Sequence, residues 1–211
     1  PYGAYEMSVT NVWKNLPGMR RPGGPTGSGG SALLILAAAF MLAACGPQRE
    51  SFRDLDAALV NQNGEAVRFP GDFEGRPVVV GFIYTHCPDI CSLVTANVKA
   101  VGEGGPEDAA YVLITFDPER DSPEILQTYA AAFDMHAPDY QFLTGDPDEI
   151  RKVMERMTVR VSRSFESTTE SGDEVYFLSH SDKILVLDDR LRLVMDYGGS
   201  MTAPKLILED L

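Results

Sequence analysis

Beyond residue 51, the hydrophobic residues fall into short continuous runs and helix-like patterns that alternate along the chain. Runs rich in β-branched and aromatic residues are typical of buried strands, and patterns opened by a capping residue and a proline are typical of helices. The predicted strands cover residues 55–60, 66–69, 77–84, 110–116, 159–165, 174–178, 183–187 and 191–195, and the predicted helices cover 88–101, 122–133 and 148–157. This alternation predicts an α/β fold, with a central mixed β-sheet flanked by helices.

Turn sequences fix the two ends of this pattern. Asn61-Gln62-Asn63-Gly64 ends in Asn-Gly and predicts an N-terminal β-hairpin. Asp188-Asp189-Arg190 joins the last two predicted strands into a closing hairpin. Between them, Ser122-Pro123-Glu124 combines an N-cap, a proline at the first helical position and an acidic first turn, which predicts a helix start.

The first 45 residues follow a different pattern. Residues 1–18 precede Met19 and are interpreted as a wrongly extended start. Residues 19–44 combine Arg20-Arg21 with an apolar run of 13 residues from 32 to 44, which predicts a signal peptide because the run is too short to span a bilayer. Leu42-Ala43-Ala44-Cys45 resembles a bacterial lipoprotein box, so we expect Cys45 to be lipidated.

In this interpretation, residues 45–51 form a tether and residues 52–211 form the folded domain. The alternative is an uncleaved anchor in which Cys45 is incidental. Either organisation holds the domain on a membrane of the bacterial cell envelope, facing the periplasm or the exterior.

The charge of the chain disfavours some functions. Residues 45–211 contain 30 acidic and 15 basic side chains, a net charge of −15. So acidic a surface repels nucleic acid and anionic lipid, which disfavours DNA binding and peripheral attachment to anionic membranes. It would suit a partner with a basic face, although solubility alone explains it equally well.

With Cys45 assigned to lipid, Cys87 and Cys91 are the two remaining cysteines. In an oxidising compartment, two thiols four residues apart form either a redox couple or a metal site. They follow a buried strand and lie in a predicted helix start, where the helix N-terminus favours the thiolate form. At i and i+4 both sulfurs would share one helix face, and such a pair suits Cu(I), whereas an added imidazole also accommodates Cu(II).

Three histidines could supply that imidazole. His86 adjoins Cys87 and is expected to point away from the pair, and His136 lies in a loop where solvation is expected. His180 lies in a predicted loop directly before an apolar strand, at a sheet edge where functional residues concentrate. His180 is therefore the candidate third ligand.

Four segments together resemble the Sco/SenC family, and the resemblance covers about residues 52–208. They are the run from Tyr84 to Cys91, the run from Asp117 to Glu124, the Leu143-Thr144-Gly145 turn and His180 before a strand. The resemblance implies a thioredoxin-like fold, one copper ion bound by Cys87, Cys91 and His180, and a role in assembling the binuclear copper centre of cytochrome c oxidase. The implied partners are the copper-accepting oxidase subunit and a periplasmic copper donor or thiol reductant.

This chain departs from the family pattern at two positions. Ser92 replaces a common proline after the second cysteine, and Ser179 replaces an aspartate that often precedes the histidine. If that aspartate orients the imidazole, Asp182 or a backbone carbonyl must substitute here. The motif from Asp117 to Asp121 has two interpretations, a turn with a helix cap, or partner recognition by Asp117 or Arg120.

Two further functions stay open beside copper delivery. The dithiol could reduce the acceptor's cysteines as a thiol–disulfide oxidoreductase, or, as a weaker alternative, reduce peroxide. Oxidoreductases of thioredoxin type usually carry C-x-x-C and a proline facing it. Here the spacing is C-x-x-x-C, and no proline occurs between Val161 and Ser200. Both features favour the metal site.

Overall fold

The computed structural model describes residues 49–169, 172 and 174–211. Residues 1–18, the predicted signal peptide at 19–44 and the predicted lipidation site at Cys45 lie outside the described residues. Among the residues it does describe, no helix is both long and apolar enough to cross a bilayer.

Nine strands and four α-helices make up the described part of the chain. The strands are β1 (Ala57–Asn61), β2 (Ala66–Phe69), β3 (Val78–Ile83), β4 (Ala110–Thr115), β5 (Tyr140–Gly145), β6 (Val161–Thr168), β7 (Glu174–His180), β8 (Ile184–Leu187) and β9 (Leu193–Tyr197). The helices are α1 (Cys91–Gly104), α2 (Pro123–Ala132), α3 (Pro147–Arg156) and α4 (Pro204–Leu208), and a short 3-10 turn covers Gly71–Phe73.

Seven strands form one mixed sheet in the order β2-β1-β5-β4-β3-β8-β9. The central pairs β3–β4 and β4–β5 are parallel, and the outer pairs are antiparallel. Parallel strands need helical crossovers that cover the sheet, and α1 and α2 supply them. The predicted α/β class, with a central mixed sheet and an N-terminal hairpin, is confirmed.

The core centres on β3, β4 and β8, in which every residue is buried. Helix α1 packs closely on β3 because Gly81 has no side chain. A Cβ atom there would lie 3.2 Å from Val98 and 3.3 Å from Val94. The close approach fixes the start of α1, and therefore Cys91, against the end of β3.

Strands β6 and β7 form a separate two-stranded sheet, which we call the ribbon (Val161–Thr168 and Glu174–His180). One face of it is exposed and carries Phe165, Val175 and Phe177, at 51%, 38% and 37% exposure. On the other face Tyr176 is buried against the main body of the protein. The ribbon ends at His180, and β8 begins at Ile184.

Several predicted elements were wrong or incomplete. Residues 143–145 were predicted as a turn but belong to β5, which pairs with both β1 and β4. Helix α1 begins at Cys91 rather than at Pro88, and β7 continues through His180, which was predicted to lie in a loop. Helix α4 and the separation of the ribbon from the central sheet were not predicted.

Candidate metal centre

Strand direction brings two distant segments of the chain together. Strand β8 runs antiparallel to β3, and Ile184 pairs with Gly81. The segment that enters β8 therefore lies beside the segment that leaves β3. The first segment carries His180 and the second carries Cys87 and Cys91, so the sheet itself juxtaposes the three candidate ligands.

The cysteines occupy different local structures. Cys87 lies in the loop between β3 and α1, where its amide donates a hydrogen bond to the carbonyl of Tyr84, 3.3 Å away. Cys91 is the first residue of α1, and Ile90 is the N-cap. The expectation that both cysteines share one helix face is therefore wrong. The loop, rather than the helical repeat, brings the sulfurs together.

The ligand atoms of Cys87, Cys91 and His180 all lie within 4.8 Å of one another. Cys91 Sγ is 3.5 Å from His180 Nε2, and both thiols are free. Cys91 is buried, whereas Cys87 and His180 are half-buried. Among the residues that the structure describes, this is the one group of three or more metal-ligating side chains close enough to share an ion.

The imidazole of His180 is oriented by the backbone. Nδ1 lies 2.9 Å from the carbonyl oxygen of Ser181, which can only accept a hydrogen bond. Nδ1 therefore carries the proton, and Nε2 presents its lone pair to the sulfurs. A backbone carbonyl thus takes the orienting role, while Asp182 instead accepts hydrogen bonds from the amide and hydroxyl of Ser200, at 2.8 and 2.6 Å.

Aromatic rings enclose the imidazole. The ring of Phe116 lies 4.6 Å from that of His180, and the ring of Tyr84 lies 5.9 Å away and edge-on. The Tyr84 hydroxyl reaches the ribbon, accepting from the Leu178 amide at 3.3 Å and donating to the Leu178 carbonyl at 3.5 Å. Burial raises the pKa of Tyr84, so it stays protonated as this donor.

The Cys91 thiol is less acidic than expected. Burial raises its pKa well above the usual range, and a hydrogen bond with the Cys87 thiol acts in the same direction. The prediction that the helix start would favour thiolate here is therefore wrong, because desolvation of a side chain 1% exposed outweighs the helix dipole. A metal ion would have to displace the proton of Cys91 to bind it.

A buried carboxylate fixes the loop that carries Cys87. Asp121 is fully buried and accepts hydrogen bonds from the amide of Thr85 at 3.0 Å and from the hydroxyls of Thr85 and Thr115, both at 2.5 Å. Burial raises its pKa, although these hydrogen bonds lower it in part. Asp121 thereby joins the ends of β3 and β4.

The other two histidines lie outside the cluster. His86 is half-exposed, with Nδ1 3.1 Å from the Thr85 hydroxyl. His136 is exposed and pairs with Asp134 at 3.0 Å. Neither joins the group of Cys87, Cys91 and His180, in agreement with the sequence predictions.

Within the Asp117–Asp121 motif both aspartates are buried, whereas Glu119 is exposed. Asp117 is 4% exposed and accepts hydrogen bonds from Arg120 Nε at 2.5 Å and the Tyr176 hydroxyl at 2.8 Å. This favours the structural interpretation over partner recognition. The two substituted positions are peripheral, since Ser92 and Ser179 are both exposed.

The sequence analysis did not identify Tyr84 and Phe116, whose rings contact the imidazole, or Tyr176, which binds Asp117. Tyr84 and Phe116 each directly follow a buried strand, and β3 and β4 end side by side. Their shared position at the ends of neighbouring strands could have predicted that both rings lie near the candidate site. A groove of about 920 Å³ also borders His180, between the ribbon and α3, and no sequence pattern predicted it.

Comparison with known proteins identifies relatives of the chain. It is 29% identical over 153 residues to a SCO2-like protein of Rickettsia prowazekii, covering 71% of each chain. It is 30% identical over 145 residues to a mitochondrial SCO1 homologue of Arabidopsis thaliana, covering 67% of this chain and 41% of that one. The solved structure of Bradyrhizobium japonicum ScoI with copper bound matches with a TM-score of 0.59 and 30% identity, covering 74% of this chain and 94% of that one.

These similarities confirm the thioredoxin-like fold class. The family model described as SCO1/SenC matches residues 50–211, which include all three clustered ligands and every described strand. The chain therefore belongs to the SCO1/SenC family.

Proposed function

We propose that this chain binds one copper ion through Cys87, Cys91 and His180 and delivers it to the copper-accepting subunit of cytochrome c oxidase during assembly. The observation that carries the proposal is the convergence of two thiols and one imidazole within 4.8 Å. Two sulfurs and one nitrogen are the donor set that copper favours in either oxidation state. Relatives of the chain whose solved structures contain copper support the choice of metal.

The three proposed ligands differ in burial and therefore in their roles in binding. Cys87 is half-buried and is the more accessible sulfur, whereas Cys91 is buried and loses its proton to solvent when the metal ion displaces it. His180 presents Nε2 because Ser181 holds Nδ1. Cu(I) can be satisfied by the two thiolates, while Cu(II) also requires the imidazole.

Delivery requires that an acceptor reach the ion. The groove beside His180 gives access from the side of the ribbon, and it is lined by Met154 and Arg151 of α3 together with Phe116 and Leu178. Cysteines of an acceptor would replace the ligands of this chain one at a time. Such exchange needs at least one exposed ligand, and Cys87 meets that need.

The same dithiol supports the alternative function of reducing disulfides. A half-exposed Cys87 beside a buried Cys91 is the arrangement of an attacking and a resolving thiol. Copper loading and disulfide formation exclude each other, because the metal requires both sulfurs reduced.

Tethering to the membrane through Cys45 belongs to the same proposal. It would keep the domain near a membrane-embedded acceptor. In the full chain, Cys45→Ser should release the protein from the membrane fraction, and continued association would instead favour an uncleaved anchor.

Anaerobic copper titration of the reduced full chain tests the proposal. A Cys45→Ser background leaves Cys87 and Cys91 as the two thiols. We expect one copper per chain, with a sulfur-to-copper charge-transfer band for Cu(II). His180→Ala should remove tight Cu(II) binding and leave both thiols titratable, whereas the control His136→Ala should match the parent. Absence of copper binding together with turnover of a disulfide substrate would favour the reductase.

A further inference from the structure

Arg120 connects the main body of the protein to the ribbon. Its Nε donates to the Asp117 carboxylate at 2.5 Å, and its Nη1 donates to the backbone carbonyl of Tyr176 at 3.0 Å. Tyr176 lies four residues before His180 on β7. A single guanidinium therefore links the segment that follows β4 to the backbone of the strand that carries the imidazole.

The surroundings of the guanidinium leave it little freedom. It lies over the ring of Tyr176, 3.6 Å from the centroid, and 5.8 Å from the ring centroid of Tyr84. Its Nη2 is buried, lies 2.5 Å from Asp117 Oδ2 as an ion pair, and makes no hydrogen bond of its own. The Tyr176 hydroxyl donates a hydrogen bond to the other carboxylate oxygen of Asp117, at 2.8 Å, so Asp117 binds both Arg120 and Tyr176.

Side chains, rather than strand pairing, hold the ribbon in place. Within residues 49–169, 172 and 174–211, β6 and β7 pair with each other and with no strand of the seven-stranded sheet. The hydrogen bonds that attach β7 to the end of the main sheet come from Tyr84, Asp117 and Arg120. Arg120 and Asp117 form the charged part of this attachment.

We propose that Arg120 is a positioning residue that holds β7 so that His180 Nε2 stays within bonding range of the two sulfurs. The inference rests on the proposed function, since it assumes that these three side chains bind copper. Loss of Arg120 should weaken binding of Cu(II), which needs the imidazole, far more than binding of Cu(I), which the dithiol can hold.

The chain offers a matched control in Arg163. Its guanidinium also lies over the Tyr176 ring, at 4.2 Å, but its ion pairs are with Glu119 and Glu166 at 3.6 and 3.4 Å. The Arg163 guanidinium donates to Glu166, whereas that of Arg120 donates to Asp117 and to the Tyr176 carbonyl. Arg163→Gln removes a cation from the same ring and an exposed ion pair with Glu119, but it leaves every hydrogen bond that attaches β7 in place.

The test compares Arg120→Gln and Arg163→Gln in the full chain with the Cys45→Ser background. We expect Arg120→Gln to weaken Cu(II) affinity about 10- to 100-fold, as is usual when a group that orients a ligand is lost. It should also alter the spin-resonance spectrum of the Cu(II) form. Cu(I) binding by Arg120→Gln and both copper affinities of Arg163→Gln should stay within about twofold of the parent. Arg120→Lys should not restore the spectrum, because an ammonium cannot reproduce the two-sided contact of the guanidinium.

A second variant tests the role of Arg120 if Arg120→Gln does not fold, and a second measurement tests it without copper. If Arg120→Gln does not fold, Tyr176→Phe removes only the hydroxyl bonded to Asp117 and should shift the spectrum in the same direction. In the metal-free protein, the His180 ring resonances report its position against Phe116, 4.6 Å away, and should move in Arg120→Gln but not in Arg163→Gln.

Either of two results would overturn the role of Arg120. One is a parent-like Cu(II) spectrum and parent-like His180 resonances in Arg120→Gln and Tyr176→Phe. The other is an equal loss of Cu(II) affinity in Arg120→Gln and Arg163→Gln. A parent that binds no copper, while its His180 resonances still respond to Arg120→Gln, would contradict the proposed function and leave the positioning role standing.

Discussion

The two regions that build the candidate metal centre are constructed differently. Strands β3 and β4 are buried along their whole length and form the middle of a seven-stranded sheet. The ribbon is two strands wide, and β6 is exposed at every residue except Val161. The cysteines belong to the first region and the histidine to the second.

This difference assigns different roles to the ligands. Where strands are paired on both sides and packed by helices, small displacements are resisted by the whole core. The positions of Cys87 and Cys91 are therefore set by the fold. The position of His180 depends on a few side-chain contacts, so the imidazole is the ligand that sequence changes can most easily adjust. Under the proposed function, a site that both holds and releases copper would benefit from this division.

Truncating a core residue should reveal the difference in stability most clearly. Leu113 is fully buried in β4, and Leu113→Ala should lower the free energy of unfolding by about 2–5 kcal/mol through lost packing and a cavity. Phe177 on the ribbon is the larger side chain but is 37% exposed. Phe177→Ala should cost about 1 kcal/mol or less.

Urea unfolding of both variants checks this prediction. Equal losses of stability would show that the ribbon is part of the same packed core, contrary to the comparison. A Phe177→Ala variant that also loses Cu(II) binding would show that the exposed face supports the imidazole.

The next largest effect on the free energy of unfolding is expected at Asp121, which holds the loop that carries Cys87. Asp121→Ala leaves the amide of Thr85 and two threonine hydroxyls without their buried acceptor, which should cost about 2–3 kcal/mol. Asp121→Asn keeps an acceptor oxygen and should cost less. Chemical unfolding measures both.

The same residue predicts a pH dependence. Because burial raises the pKa of Asp121, the folded state favours the protonated form. Its contribution to stability is therefore complete below the unfolded value of 3.8 and declines as the pH rises through the higher folded value. Asp121→Asn lacks this decline, so the stability of the variant relative to the parent should rise with pH across that interval. A difference that stays flat would contradict a raised pKa.

A small and local effect is expected where the two regions meet. Tyr84→Phe removes the hydroxyl that pairs with the amide and carbonyl of Leu178 and should cost about 1 kcal/mol. The loss should be local, so the Leu178 amide should exchange its hydrogen faster while amides of β4 keep their protection. Tyr111→Phe is the control, because its hydroxyl bonds to Pro106 at 3.1 Å and does not touch the ribbon. Unchanged exchange at Leu178 would remove Tyr84 from the attachment.

Much of the fold could be predicted because local patterns were strong. The continuous apolar runs in β3, β4 and β8 left one interpretation, and the Ser122-Pro123 cap correctly opened α2, with the Ser122 hydroxyl accepting from Ile125 at 3.4 Å. Strand β5 was missed because Thr144-Gly145 resembles a turn locally. It becomes a strand because β1 and β4 pair with it from both sides.

The identity of the three candidate ligands came from the sequence, but their geometry did not. The proximity of His180 to the sulfurs depends on β8 running antiparallel to β3, which no spacing between residues 91 and 180 encodes. The acidity of the Cys91 thiol was predicted from the helix dipole, and that argument ignores the burial that raises its pKa. The attachment through Arg120 and Tyr176 requires knowing that β6 and β7 leave the main sheet, and their sequences are as strand-like as those that stay.

Pulsed spin resonance combined with X-ray absorption on the Cu(II)-loaded, reduced chain tests the central claim most directly. In the Cys45→Ser background we predict two sulfur neighbours per copper and coupling to the remote nitrogen of one imidazole, with that coupling lost in His180→Ala and retained in His86→Ala. A copper ion without sulfur neighbours, or imidazole coupling that persists in His180→Ala, would contradict a site built from Cys87, Cys91 and His180.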